Sequence, residues 1–100
     1  MTAYVIVSYD ITDPQAFAPY VAGVMPLIAR HGGEVVVADD AATTLEGAPR
    51  HMEVVLRFPD RTAAQAWYED PDYAPVRQIR LDTTTHERLV IAAAFTPPGG

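Results

Sequence analysis

One hundred residues suit one domain, and a chain of this length buries only about two-thirds of the surface its unfolded form exposes, so a partner chain would add to its core. A composition 49% hydrophobic and 20% charged excludes a disordered chain. The formal net charge of −6, with arginine as the only basic residue besides histidine, argues against a nucleic-acid partner. Without cysteine there is no disulfide framework, thiolate nucleophile or zinc knuckle; with no basic leader and no long apolar run, the expectation is a cytoplasmic protein without a membrane partner.

Tyr4 to Tyr9 is β-branched and aromatic with apolar residues on both parities, which predicts a central strand covered on both faces. Thr12 or Asp13 then offers a helix cap, with Pro14 suited to the first helical position. Phe17, Tyr20, Val21, Val24, Leu27 and Ile28 recur at helical spacing and form a stripe that must face a sheet. Pro26 should disturb this helix near Ala22 and Gly23, and Gly32-Gly33 should end it. Glu34 to Ala38 reads as a second strand, Thr43 to Glu46 as a short extended return, and Met52 to Phe58 as a third strand. Asp60 or Thr62 caps a helix through Trp67 and Tyr68, and Asp70-Pro71 starts another carrying Tyr73, Arg77 and Arg80. A last strand follows over Glu87 to Phe95, and Thr96 to Gly100 reads as a frayed, disordered tail beyond a domain of residues 1 to 95.

The order β-α-β-β-α-β predicts an α+β, ferredoxin-like fold: an antiparallel sheet with the first and third strands central and the helices on one face. Because those central strands are apolar on both parities, the uncovered face would expose a large hydrophobic patch. A second copy packed on it would form a two-fold homodimer, a dimeric α+β barrel.

Several separated motifs then carry a resemblance. Ala3 to Val7, Thr12-Asp13-Pro14 with Phe17 and Tyr20, Pro26 before Gly32-Gly33, Leu45-Glu46-Gly47, Phe58-Pro59, and Trp67-Tyr68 with Pro71, Tyr73 and Arg80 together resemble the family known as domain of unknown function 1330. The likeness spans Ala3 to about Ala94. It implies a dimeric α+β barrel, in a superfamily that also holds small cofactor-independent monooxygenases and isomerising or degrading enzymes, and it implies no established reaction. The chain departs from the pattern at Asp39-Asp40, where a glycine pair is usual, at Arg57, where glutamate is frequent, and around Pro49-Arg50-His51.

Strand alternation puts Met52, Val54, Leu56 and Phe58 toward the helices and His51, Glu53, Val55 and Arg57 on the opposite face. A charge there needs a partner, so Glu53 and Arg57 are expected in ion pairs, within the chain or across the two-fold axis. His51 is the one candidate catalytic base, with Glu53 placed to orient it. Tyr20, Trp67, Tyr73 and Arg80 are candidates for binding a small organic molecule. Tyr73 and Arg80 lie two turns apart on one helix, so a phenol and a guanidinium there suit an acidic or phenolic ligand. The competing expectations are that the aromatics serve packing alone, in a non-catalytic interaction module, and that Arg80 pairs with Asp72 or Asp82. His31, His51 and His86 are too dispersed for a metal site, and no glycine loop suits a phosphate, so neither a metal nor a cofactor is expected.

Overall fold

In the computed structural model, which describes residues 1–99, the run from Tyr4 to Tyr9 lies within β1 (Ala3–Ile11). Its side chains alternate strictly. Ala3, Val5, Val7 and Tyr9 are buried, while Ile6 between them is 40% exposed. The chain turns into α1 (Pro14–Arg30) at Asp13, whose side chain accepts the Ala16 N–H at 3.1 Å. Pro19 and Pro26 are both exposed and the helix continues through them, since carbonyls freed by a missing N–H on the outer face can be hydrated. Gly32, at φ +76°, ends the helix. Gly33 then passes so close to Phe58 that a Cβ would lie 2.5 Å from Cε1 of its ring.

The remaining elements are β2 (Glu34–Asp39), β3 (Met52–Phe58), α2 (Arg61–Glu69), α3 (Tyr73–Thr83) and β4 (Thr84–Ala93). The sheet order is β2-β3-β1-β4, every pair antiparallel, with β1 and β3 central as the sequence predicts. Asp60 caps α2 by accepting the Ala63 N–H at 2.8 Å. The core lies between the helices and one sheet face, joining Val5, Val7, Leu56 and Phe58 of the sheet to Leu27, Ile28, Trp67 and Tyr73 of the helices.

The elements depart from expectation in three places. Thr43 to Glu46 forms no strand, β4 ends at Ala93 rather than Phe95, and it begins at Thr84 rather than Glu87 because α3 passes into it directly. The hydroxyls of Thr83 and Thr84 donate to the carbonyls of Ile79 and Arg80, at 2.7 and 2.6 Å, and so close the helix without a glycine. Thr96 to Gly99 form neither helix nor strand; the expected tail runs on to Gly100, which lies outside the described residues.

The opposite sheet face has an ordered pattern. Val37, Val55, Ile6 and Val90 stand in register across all four strands and form an apolar row. On one side the next row is Glu34, Arg57, Tyr4 and Ala92; on the other it is Asp39, Glu53, Ser8 and Arg88. Arg57 donates from both Nε, at 2.7 Å, and Nη2 to Glu34, which is the expected ion pair formed within the chain.

Candidate functional site

Helical spacing brings Tyr73 and Arg80 onto one side of α3, and that side faces α1. The chain enters α3 through a tight turn in which Asp70 accepts the backbone N–H of Tyr73 on its carbonyl and that of Asp72 on its side chain. The same Asp70 carboxylate meets His31 Nε2 at 2.8 Å and Arg30 Nη1 at 3.0 Å, clasping the end of α1 to the start of α3. The hydrogen bond to His31 is the main cause that holds the Asp70 carboxyl down at about 2. This clasp fixes the two helices side by side. Farther along them the hydroxyls of Tyr20 and Tyr73 meet at 2.7 Å, both side chains buried.

Between α1 and the sheet lies a cavity of about 320 Å³. On the α1 side Phe17, Tyr20 and Val24 line it, with Val21 and Met25, 52% and 47% exposed, at its outer margin. Val7 and Tyr9 of β1, and Met52 and Val54 of β3, form the opposing wall. Trp67 and Arg80 are the groups of strongest polarity that reach it from α2 and α3. A cavity of this size and apolar lining with a few polar groups has the character of a small-molecule site.

Arg80 is 2% exposed, and among the described residues no carboxylate lies within ion-pairing distance of it. The pairing expected with Asp72 or Asp82 does not form: Asp72 accepts from Arg30 at 2.8 Å, and Asp82 accepts from Gln78 at 2.7 Å. The guanidinium instead faces the phenol oxygens of Tyr20 and Tyr73, with its carbon 6.0 Å from the Tyr20 ring centroid. Its Nε has no hydrogen-bond partner, and neither has Nε1 of Trp67. Burial, the largest cause, pushes the Tyr20 hydroxyl far above its ordinary value, with Tyr73 adding to the shift; burial likewise raises Tyr9. The Tyr20 phenol therefore stays neutral, and among the described residues no anion compensates the guanidinium charge.

A model of the family described as "Domain of unknown function (DUF1330)" matches residues 2–94. The chain belongs to the DUF1330 family. No curated protein matches this DUF1330 chain. Among solved structures it is similar to the RPA0582 protein of unknown function from Rhodopseudomonas palustris, at 18% identity and TM-score 0.82 over 96% of this chain and 84% of that one. It also resembles a dimeric ferredoxin-like protein of unknown function from Jannaschia sp. CCS1, at 13% identity and TM-score 0.76 over 94% and 100% of the two chains. A third is SnoaB, a cofactor-independent oxygenase from Streptomyces nogalater, at 14% identity and TM-score 0.68 over 99% and 98%. At these identities the likeness carries the fold.

Of the residues singled out in the DUF1330 sequence, Tyr20, Trp67 and Arg80 line the cavity. Tyr73 stands behind them, fully buried, its ring centroid 4.7 Å from that of Trp67 and its hydroxyl on Tyr20. His51 lies apart, exposed ahead of β3. Its Nδ1 accepts the Ile11 N–H at 2.9 Å, which leaves the neutral ring's proton on Nε2, and its own backbone N–H donates to Asp10 at 2.9 Å. Glu53 is not among its hydrogen-bond partners. That backbone hydrogen bond is the main cause lowering the Asp10 carboxyl, which also meets His86 Nδ1 at 3.0 Å. His86 sits at φ +56°, beside the irregularity in the β1 and β4 pairing. Among the described residues, no group of three His, Asp or Glu side chains is placed to hold a metal ion, and no helix is long and apolar enough to cross a membrane.

Sequence reasoning missed the apolar wall formed by Phe17, Val24, Met52 and Val54. Their spacing predicts that they face between helix and sheet, and they do; whether such side chains meet or leave a void depends on how far the helix stands off, which no periodicity encodes.

Proposed function

We propose that this protein binds a small organic molecule, phenolic or acidic, in the cavity between α1 and the sheet, and that it does so as a homodimer joined through the uncovered sheet face. The observation that carries the ligand reading is Arg80: a guanidinium 2% exposed, lining an apolar cavity, with no carboxylate partner and with an unsatisfied Nε. A buried charge is normally paired, so the missing partner is a group that the described residues do not supply. The dimer reading rests on the row Val37, Val55, Ile6 and Val90, which alone would leave apolar side chains in water, and on the dimeric state named for similar ferredoxin-like structures.

A second reading, a cofactor-independent monooxygenase or isomerase-like enzyme, is supported by the fold this chain shares with SnoaB, which is named a cofactor-independent oxygenase. Under that reading Tyr20, Trp67, Tyr73 and Arg80 position the substrate and His51 is the titratable group to test. A ligand-free interaction module is the remaining alternative. The deciding experiment is a melting-temperature screen against phenols, quinones and small carboxylic acids, since binding to the native state raises stability by mass action. Several phenols or acids should raise the melting temperature in proportion to the logarithm of their concentration. A screen in which none does refutes the ligand reading.

A further inference from the structure

We propose that the cavity holds its ligand as an anion, so that a phenol settling beside Arg80 gives up its proton to solvent. This rests on the ligand reading above and extends it to the charge state of what is bound.

The groups facing the site decide the matter. Arg80 of α3, charged at every accessible pH, Tyr20 of α1 and Tyr9 of β1 line it, and Tyr73 of α3 stands behind them with its hydroxyl on that of Tyr20. The parts of β2, β3 and β4 that line the cavity carry no titratable group, and α2 contributes only the Trp67 indole. Arg77, also on α3, donates to the Tyr68 carbonyl at 2.7 Å, and its guanidinium carbon lies 5.6 Å from the Tyr73 ring centroid, so it adds positive charge nearby. Among the described residues, no carboxylate and no imidazole lines the cavity.

The hydrogen-bond inventory has the same sense. Nε of Arg80 and Nε1 of Trp67 are donors with no lone pair to offer, and both lack partners. In the Tyr20 and Tyr73 pair one hydroxyl donates to the other, which leaves a single proton free to donate. The phenol oxygens are also the atoms that Arg80 faces, so a proton that a ligand donated to them would lie beside the guanidinium charge. A neutral acid brings a proton into a site whose acceptors are phenol oxygens alone, beside an uncompensated positive charge. The ionised form brings only lone pairs and the missing countercharge. The O–H bond of a phenol therefore breaks on binding, its electron pair stays on the oxygen facing Arg80, and the proton leaves to water or buffer.

The test uses the intact protein and 4-nitrophenol, whose ionised form is yellow, with 4-nitroanisole as its uncharged analogue. Binding should move the ionisation of 4-nitrophenol down by about one to three pH units, the range an adjacent guanidinium produces. In weakly buffered solution at a pH between the bound and free midpoints, about half a proton should be released per phenol bound for a shift of one unit and nearly one for a shift of three, while 4-nitroanisole binds at least tenfold more weakly. Arg80→Met should return the bound midpoint to the free value or above it, and Arg80→Lys should keep part of the shift. If 4-nitrophenol binds with its midpoint unchanged or raised, or if 4-nitroanisole binds equally well, the inference is overturned while the cavity remains a ligand site. If neither compound binds and the melting-temperature screen is also blank, both readings fall together.

Discussion

Replacing Arg80 by methionine separates a guanidinium kept for a ligand from one kept for the fold. In a protein whose buried arginine is held by an internal partner, removing it strands that partner and costs about 3–5 kcal/mol. In a domain of this size about 1 kcal/mol corresponds to roughly 4–8 °C, so a structural Arg80 predicts a fall of more than about 10 °C. Here the side chain is 2% exposed, no carboxylate depends on it, and the neighbours it faces are two phenols already bonded to each other at 2.7 Å. Methionine fills a similar volume with an unbranched apolar chain and removes a desolvated charge from an apolar cavity. Swaps of buried ionic groups for hydrophobic ones of like size are neutral or stabilising by about 1–4 kcal/mol. The unliganded Arg80→Met protein should therefore melt at the wild-type temperature or roughly 4 °C or more above it, measured by circular dichroism with calorimetry as a check. The same variant should lose the stabilisation that an organic acid gives the wild type. A variant that melts many degrees lower without ligand would refute the reasoning, because Arg80 would then be satisfied inside the chain.

Other outcomes follow from the packing and the clasp. Gly33→Ala places a Cβ 2.5 Å from the Phe58 ring, and overpacking of that kind should cost about 1–3 kcal/mol in chemical denaturation; an unchanged midpoint would mean that the ring moves freely. Asp70 is held at about 2, below its ordinary 3.8, by His31 and Arg30, so its contribution is complete above the ordinary value and is lost as pH falls through the folded one. The melting-temperature gap between wild type and Asp70→Asn should accordingly be widest at mildly acidic to neutral pH and close on the approach to about 2; a gap independent of pH contradicts the clasp. Val55→Asp puts a carboxylate in the middle of the apolar row on the uncovered face, and light scattering should then report a single subunit mass where the wild type gives twice that. A variant that still scatters as a pair would place the dimer contact elsewhere.

Much of this architecture could be read from local chemistry. Asp13 and Asp60 act as caps because a short carboxylate ahead of a helix has exposed N–H groups within reach, and that requirement is visible in the residue order. The two faces of β3 follow from parity alone. The start of β4 was less legible: no glycine or proline separates it from α3, and threonine hydroxyls bonded back to the preceding turn end the helix instead. Tyr20, Trp67 and Arg80 line the cavity, whereas the fate of Arg80's charge depended on which acids the distant Arg30 and nearby Gln78 engage. Such competition is settled in three dimensions. The separation of His51 from the cavity has the same origin, since the Ile11 N–H that takes its Nδ1 is forty positions away in the chain.

The affinity of the protein for 1-naphthoate compared with its methyl ester, measured by titration calorimetry at neutral pH, tests the central claim most directly. A charge-assisted contact to a buried guanidinium should favour the acid by about ten- to a hundredfold. Equal affinities, or tighter binding of the ester, would contradict a cavity built around an unpaired positive charge.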